Sequence, residues 1–199
     1  MAEVSEGQDF FTDRFATALL YALRLHGKQT RKGSKIPYVS HLLAVGAIVL
    51  EDGGSEDEAI AALLHDAIED AGGDPIRQAI RHKFGDKVAA IVEGCTDTDQ
   101  SPKPPWLERK KQYLEHLHGA SAEVRRVSAA DKLHNARSVL ADFRRHGNDV
   151  WARFSGGREG TLWYYRRLVQ IYNEAGPSFL VEELNRVVSE LERLAGVVA

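Results

Sequence analysis

Apolar side chains recur every three or four residues along almost the whole chain, and no segment alternates apolar and polar residues as a half-buried strand would. In segment 55–71, Ile60, Leu64 and Ile68 form one stripe, Ser55 opens a Ser-x-x-Glu capping box, and two glycines end the helix. Comparable patterns predict further helices at 11–26, 38–51, 74–85, 88–92, 107–117, 124–143, 162–172 and 179–194. We therefore predict an all-α protein, an irregular bundle of about eight or nine helices around one core.

The size and charge of the chain limit its function classes. With 199 residues and 43% hydrophobic content it can bury one sizeable core, and we predict a single domain over residues 1–199. A formal charge of −3 argues against bulk nucleic-acid binding and favours a small-molecule partner. The single cysteine excludes an internal disulfide, and we find neither a secretory leader pattern nor an apolar run of about 18 residues. These features predict a cytoplasmic protein without a membrane span.

Four polar side chains stand at the end of the helix predicted at 55–71: His65, Asp66, Glu69 and Asp70. His65 and Glu69 are four residues apart, as are Asp66 and Asp70, so all four should lie along one edge of a continuous helix. Carboxylates in a last turn face the negative end of the helix dipole, at a cost of a few tenths to about 1 kcal/mol each. A solvated acidic helix end tolerates that cost. A bound dication would reverse it, and the adjacent His-Asp pair supplies the mixed ligands that suit manganese, iron or zinc.

Further ligands for such a metal must come from other segments. His41 lies near the start of the helix predicted at 38–51. Asp131 lies in the middle of an apolar helical segment, where a carboxylate is either exposed or paired because an unpaired buried charge is too costly. Asn135 follows Asp131 by four residues, on the same edge of that helix. The remaining histidines are not assigned to the site, although His134, inside the ADKLHN motif, is left open as a residue that supports a ligand without binding the metal.

Three stretches, QTRKGSKIPYVSHLLAV, AALLHDAIEDAGG and SAADKLHNARSVL, together resemble the hydrolase domain of RelA/SpoT proteins and the free-standing small alarmone hydrolases of the HD superfamily. The order of the motifs also fits this superfamily: a His, then His-Asp, then a distant Asp. The resemblance runs from about residue 26 to residue 165. It implies an HD-domain architecture and one divalent metal, commonly manganese, with four ligands: His41, His65, Asp66 and Asp131.

The same resemblance implies a reaction and roles for other polar residues. Glu69 and Asp70 would position or deprotonate the attacking water. Four residues would bind the substrate, the first two along the nucleotide and the last near the ribose: Arg31, Lys32, Asn135 and Tyr165. Family members hydrolyse the 3′-pyrophosphate of guanosine tetra- or pentaphosphate to pyrophosphate and GDP or GTP. The expected partner is therefore a phosphorylated guanosine nucleotide, and a homo-oligomer is left open.

Three departures from the family pattern concern the substrate. Leu42 follows His41 where the family usually has proline, the Arg-Lys loop RKGSKIPY is spaced slightly differently, and segment 150–168 is richer in aromatic residues. Trp151, Trp163 and Tyr164 could stack on a base, but we favour core positions because aromatic residues at this spacing are more often core. The alternatives are an HD phosphohydrolase of another phosphorylated nucleotide or dinucleotide, such as NADPH, and a catalytically silent nucleotide-binding or antitoxin-like protein.

Overall fold

Helices make up nearly all of the secondary structure in residues 10–100 and 102–196, the part of the chain that the computed structural model describes. The ten α-helices of this part are α1 Asp13–His26, α2 Val39–Glu51, α3 Glu56–Leu64, α4 Ala67–Ala71, α5 Asp74–Phe84, α6 Asp86–Cys95, α7 Trp106–Gly119, α8 Ala122–His146, α9 Gly157–Ala175 and α10 Phe179–Leu194. A 3₁₀ helix, Gly147–Arg153, joins α8 to α9. The predicted all-α class is confirmed, with more helices than expected.

Helix α8 is the central element of the bundle. It packs against α2, α3, α6, α9 and α10, and its residues Val127, Ala130, Leu133 and Ala136 are buried in these contacts. The buried apolar residues of all ten helices form one cluster. In the described ranges, no helix combines the length and the apolar character needed to cross a bilayer. The single-domain organisation over residues 1–199 remains a prediction.

Helix starts follow the capping signals of the sequence. The Ser55 hydroxyl accepts from the backbone N–H of Glu58, and Glu58 Oε2 accepts from the Ser55 N–H at 2.8 Å, which completes the predicted capping box of α3. Ser121 and Ser178 cap α8 and α10 through their hydroxyls. Glu58 also accepts from Arg126 of α8, so this cap ties α3 to the central helix.

The helix predicted over 55–71 is interrupted, and the prediction of one continuous helix was wrong. Helix α3 ends at Leu64, α4 begins at Ala67, and His65 and Asp66 form the turn between them. The cause is the His65 side chain, whose Nδ1 lies 2.8 Å from the carbonyl oxygen of Ala62. In an uninterrupted helix that carbonyl would accept from the backbone N–H of residue 66. The imidazole competes for this acceptor and breaks the helix at two candidate ligands.

The glycine-rich segment before α9 makes room for an aromatic side chain. A Cβ atom on Gly156 would lie 2.7 Å from the ring of Trp106, so only glycine admits the indole there. Trp151 and Tyr164 are buried, and Trp163 is half-buried and packs against the core. The core positions that we favoured for these three aromatic residues are confirmed.

Candidate metal centre

The side chains of His41, His65, Asp66 and Asp131 converge where α2, the turn between α3 and α4, and α8 meet. The Nε2 atom of His65 lies 2.9 Å from Asp66 Oδ2 and 3.6 Å from Asp131 Oδ1. The Nε2 atom of His41 lies 3.2 Å from the same Asp131 oxygen and 3.8 Å from Asp66 Oδ2. The structure therefore brings together all four residues predicted as metal ligands, from three separate segments of the sequence.

Two buried nitrogen atoms in this cluster, Nε2 of His41 and Nε2 of His65, make no well-aligned hydrogen bond among the described residues, although carboxylate oxygens lie 3.2 Å and 2.9 Å from them. An unpaired buried polar atom costs roughly 1–3 kcal/mol, so two of them facing two carboxylates call for a further partner. A divalent cation is such a partner, because imidazole nitrogen and carboxylate oxygen both ligate manganese, iron and zinc. The residues present fit one divalent metal ion.

Neighbouring charged and polar groups lower the pKa values of the two carboxyl groups, although burial alone would raise them. Burial alone would raise the pKa of Asp66, but the neighbouring imidazole of His65 outweighs it and holds the pKa of this carboxyl below its usual range. For Asp131, burial is outweighed by the Lys132 ammonium and the two imidazoles, and its pKa lies well below normal. Both side chains are therefore charged at neutral pH, as metal-binding carboxylates must be.

Each of the two carboxylates is held by other side chains. Asp66 Oδ2 accepts a short hydrogen bond from the hydroxyl of Tyr38. Asp131 Oδ2 accepts from the ammonium of Lys132, and Asp131 Oδ1 accepts from the amide of Asn135 at 2.5 Å. Such contacts fix the direction in which a ligand oxygen points.

The outer nitrogens of the two imidazoles are also engaged. His65 Nδ1 lies 2.8 Å from the carbonyl oxygen of Ala62, which can only accept, so this nitrogen carries a proton and donates it. His41 Nδ1 lies 2.8 Å from Nδ1 of His134. Burial lowers the pKa of His134 to about 4, and the neighbouring His41 imidazole and Arg31 guanidinium act in the same direction. The ring of His134 is therefore neutral at pH 7.

The two acidic residues predicted to act on water lie on α4, and each is paired with a residue from another element. Glu69 Oε1 accepts from Lys103 Nζ at 2.7 Å, and Lys103 belongs to the loop between α6 and α7. Asp70 Oδ2 accepts from the Gln29 amide at 2.8 Å, and Gln29 Oε1 lies 2.6 Å from Nδ1 of the buried His26. Both carboxylates are thus oriented from outside their own helix.

The predicted substrate-binding residues are placed unequally around the cluster. Arg31 Nη2 donates to Asn135 Oδ1 at 2.8 Å, and the Asn135 amide donates to Asp131, so these two residues connect directly to a candidate ligand. Lys32 is exposed beside Arg31 in the loop before α2. Tyr165 is buried on α9, and burial raises the pKa of its hydroxyl.

Sequence reasoning missed the residues that hold the predicted ones. Gln29 and Lys103 lie between helices, in segments where periodicity gives no information about which side chains meet. Tyr38 directly precedes α2, although the sequence predicts it as the first residue of that helix. Lys132 and His134 lie inside the ADKLHN motif. The available signal was proximity to a predicted ligand in the sequence: Lys132 is adjacent to one, and Tyr38 and His134 are each about one helical turn away.

The fold and the site together define a class, the all-α proteins with a buried centre of two His and two Asp residues. The chain belongs to the HD domain family, which it matches over residues 18–162. The expected HD-domain architecture is therefore confirmed.

Known proteins similar to this chain carry names related to alarmones. Guanosine-3′,5′-bis(diphosphate) 3′-pyrophosphohydrolase MESH1 of Xenopus tropicalis is 39% identical over 122 residues, which cover 60% of this chain and 65% of that protein. The protein of the same name from Homo sapiens is 36% identical over 122 residues, with the same coverage of 60% and 65%. The chain thus spans just under two thirds of the length of these relatives. A solved structure of a metazoan ortholog of SpoT that hydrolyses ppGpp matches this chain with a TM-score of 0.72 and 23% sequence identity. The match covers 96% of this chain and 100% of the chain in that structure, and it supports the fold.

Proposed function

We propose that the protein is a metal-dependent phosphohydrolase that removes the 3′-pyrophosphate of guanosine tetra- or pentaphosphate and leaves GDP or GTP. The observation that carries the proposal is the convergence of two unpartnered imidazole nitrogens, from His41 and His65, on the carboxylates of Asp66 and Asp131. The names of the similar proteins support the substrate class.

His41, His65, Asp66 and Asp131 would hold one divalent ion. The mixed imidazole and carboxylate set suits manganese, iron or zinc, and we propose Mn²⁺ because the family that the sequence resembles commonly uses it. Bound there, such an ion lowers the pKa of a coordinated water and polarises a phosphoryl oxygen. The low pKa values of both carboxyls keep the ligand oxygens charged for this purpose.

Residues of α4 would move the proton. Glu69, which Lys103 holds, and Asp70, which Gln29 holds, are the carboxylates nearest in sequence to the His65-Asp66 turn. One of them would orient the attacking water and accept its proton, an effect typically worth about 10²–10⁴ in rate. The external hydrogen bonds restrict each carboxylate to one orientation, which general-base catalysis requires.

Residues of the loop before α2, of α8 and of α9 would bind the nucleotide. Arg31 would engage phosphate oxygens through its planar guanidinium, and the exposed Lys32 would add a second positive charge. Asn135 bonds Arg31 with its oxygen and Asp131 with its nitrogen, so it couples the position of the phosphate-binding group to that of a metal ligand. Tyr165 would lie on the ribose side of the site.

Incubation of the purified protein with guanosine 3′,5′-bis(diphosphate) and Mn²⁺ tests the proposal. We expect GDP and pyrophosphate in equal amounts, no turnover in EDTA, and recovery when Mn²⁺ is restored. Orthophosphate released from NADPH, without pyrophosphate from the alarmone, would favour a different phosphorylated nucleotide or dinucleotide as the substrate. A protein that binds Mn²⁺ but turns over neither compound would favour the silent nucleotide-binding alternative.

Two substitutions should differ in the kinetic constant that they change. Asp131→Ala should abolish kcat because a metal ligand is needed for the chemical step. Arg31→Ala should mainly raise KM because a group that grips ground state and transition state equally contributes uniform binding, and Arg31→Lys should not fully restore it. Arg167→Ala, at an exposed arginine of α9, is the matched control and should change neither constant. A fall in kcat at unchanged KM in Arg31→Ala would assign Arg31 to the transition state instead.

A further inference from the structure

The sequence left the role of His134 open, and the structure shows that it contacts a candidate metal ligand. Its Nδ1 lies 2.8 Å from Nδ1 of His41, and the centroids of the two rings are 4.8 Å apart. His41 lies in α2 and His134 lies in α8, so two packed helices fix this contact. His41 is only 1% exposed, which prevents bulk water from replacing His134 as the partner of Nδ1.

The position of one proton decides which of the two rings donates. Two imidazole nitrogens at hydrogen-bond distance share a single proton, so one ring donates and the other accepts. The Nε2 atom of His41 lies 3.2 Å from Asp131 Oδ1 and must offer a lone pair if it is to ligate a cation there. The ring proton of His41 then lies on Nδ1. His134 must accept that proton with its own Nδ1 and carry its own proton on Nε2.

We propose that His134 is a positioning residue of the metal centre: it accepts the Nδ1 proton of His41 and thereby leaves the Nε2 lone pair of His41 free for a metal ion held with Asp66 and Asp131. His65 needs no such residue, because the carbonyl of Ala62 accepts its Nδ1 proton. The two histidine ligands are thus oriented by different means, one by its own helix backbone and the other by a side chain of α8. This inference rests on the metal centre of the proposed function and adds a residue to it.

Binding of Mn²⁺ in the absence of substrate tests the role of His134. The affinities of the wild type, His134→Leu and His134→Asn are measured by titration calorimetry. Leucine and asparagine have similar sizes, but only asparagine offers an acceptor oxygen near the position of the histidine Nδ1. We expect a Kd that is about 10- to 100-fold weaker for His134→Leu, as is typical when such an outer partner is lost, and recovery of most of that loss in His134→Asn. His146→Leu, at an exposed histidine of the same helix, is the matched control and should bind as the wild type does.

A spectroscopic measurement on the unmodified protein complements the variants. In Zn²⁺-loaded protein with ¹⁵N-labelled histidine, we expect the Nδ1 signal of His41 in the protonated range and the Nδ1 signal of His134 in the range of an acceptor. A His41 ring that is not protonated at Nδ1 would overturn the inference, even if a variant fails to fold. Equal Mn²⁺ affinity of His134→Leu and the wild type, or equal weakening in the leucine and asparagine variants, would also overturn it. A wild type that binds no metal would overturn the metal centre itself, which is a separate result.

Discussion

Replacing Glu58 by glutamine tests the contribution to stability of the ion pair between Glu58 and Arg126, which joins α3 to α8. Glu58 is 4% exposed at the start of α3, and Arg126 precedes Asp131 on α8. The two Glu58 oxygens serve different donors: Oε1 accepts from the guanidinium of Arg126, and Oε2 accepts from the Ser55 N–H at 2.8 Å and from the Ser55 hydroxyl at 2.7 Å. Glutamine keeps the shape of this side chain but has one acceptor oxygen and no charge. It therefore cannot serve both partners.

The expected loss follows from these contacts. A hydrogen bond to a charged partner contributes about 1.5–3 kcal/mol, and a capping interaction contributes about 1 kcal/mol. Asp52 Oδ2 lies 3.0 Å from Arg126 Nε and retains part of the charge pairing in the variant. We therefore expect Glu58→Gln to lower the free energy of unfolding by about 2–3 kcal/mol, or Tm by roughly 4–12 °C for a domain of this size.

Urea unfolding followed by circular dichroism at pH 7 measures this difference. Glu115→Gln, at an exposed glutamate of α7, is the matched control and should change the free energy of unfolding by no more than about 0.5 kcal/mol. A Glu58→Gln protein as stable as the wild type would refute the reasoning, because the ion pair and the cap would then contribute nothing.

The structure also predicts how the stability difference between wild type and Glu58→Gln changes with pH. Burial disfavours the charged form of Glu58, but the hydrogen bonds from Ser55 and the Arg126 guanidinium outweigh it, so the pKa of this carboxyl in the folded state lies below its ordinary value of 4.5. A depressed folded-state pKa stabilises the protein fully above the ordinary value, and this contribution is lost as the pH falls through the folded-state pKa. The stability difference between wild type and Glu58→Gln should therefore shrink below pH 4.5. A difference that widens toward acid would contradict the assignment.

Three further predictions concern the metal centre. Glu69→Gln and Asp70→Asn should keep the metal content of the wild type and lose most of the turnover, because an amide keeps the shape of a carboxylate without its basicity. Elemental analysis that shows metal loss in either variant would place that residue among the ligands. Tyr38→Phe removes the hydrogen bond to Asp66 and should weaken Mn²⁺ binding by about 10-fold or more, and unchanged calorimetric affinity would mean that Asp66 is oriented without it. Mn²⁺ at about 100 times its Kd should raise the free energy of unfolding by about 2.7 kcal/mol, and Tm by roughly 5–11 °C, relative to EDTA-treated protein. Asp66→Ala should abolish this shift in Tm and leave the far-ultraviolet circular dichroism spectrum unchanged.

The helices could be predicted because they depend on local properties of the sequence, whereas the set of four candidate ligands came from the resemblance to the HD superfamily. Apolar residues at helical spacing indicate which segments are helices. The adjacent imidazole and carboxylate at positions 65 and 66 suggest metal chemistry, but local properties do not select His41 and Asp131 as their partners. The hydrogen-bond partners could not be predicted in the same way. Gln29 reaches Asp70 and Lys103 reaches Glu69 from segments without helical periodicity, and the path of such segments is set by tertiary contacts.

The break between α3 and α4 is the feature that helical periodicity predicts wrongly. Both residues of the turn keep right-handed backbone angles, with φ −58° and ψ −30° at His65 and φ −97° and ψ −1° at Asp66, so the departure from helical geometry is larger at Asp66. In the turn, His65 Nε2 and Asp66 Oδ2 lie 2.9 Å apart. The same imidazole that engages the Ala62 carbonyl through Nδ1 faces the cluster through Nε2. One side chain therefore engages the backbone of its own helix through Nδ1 and supplies a candidate ligand atom through Nε2, so the helix end and the orientation of the imidazole are coupled.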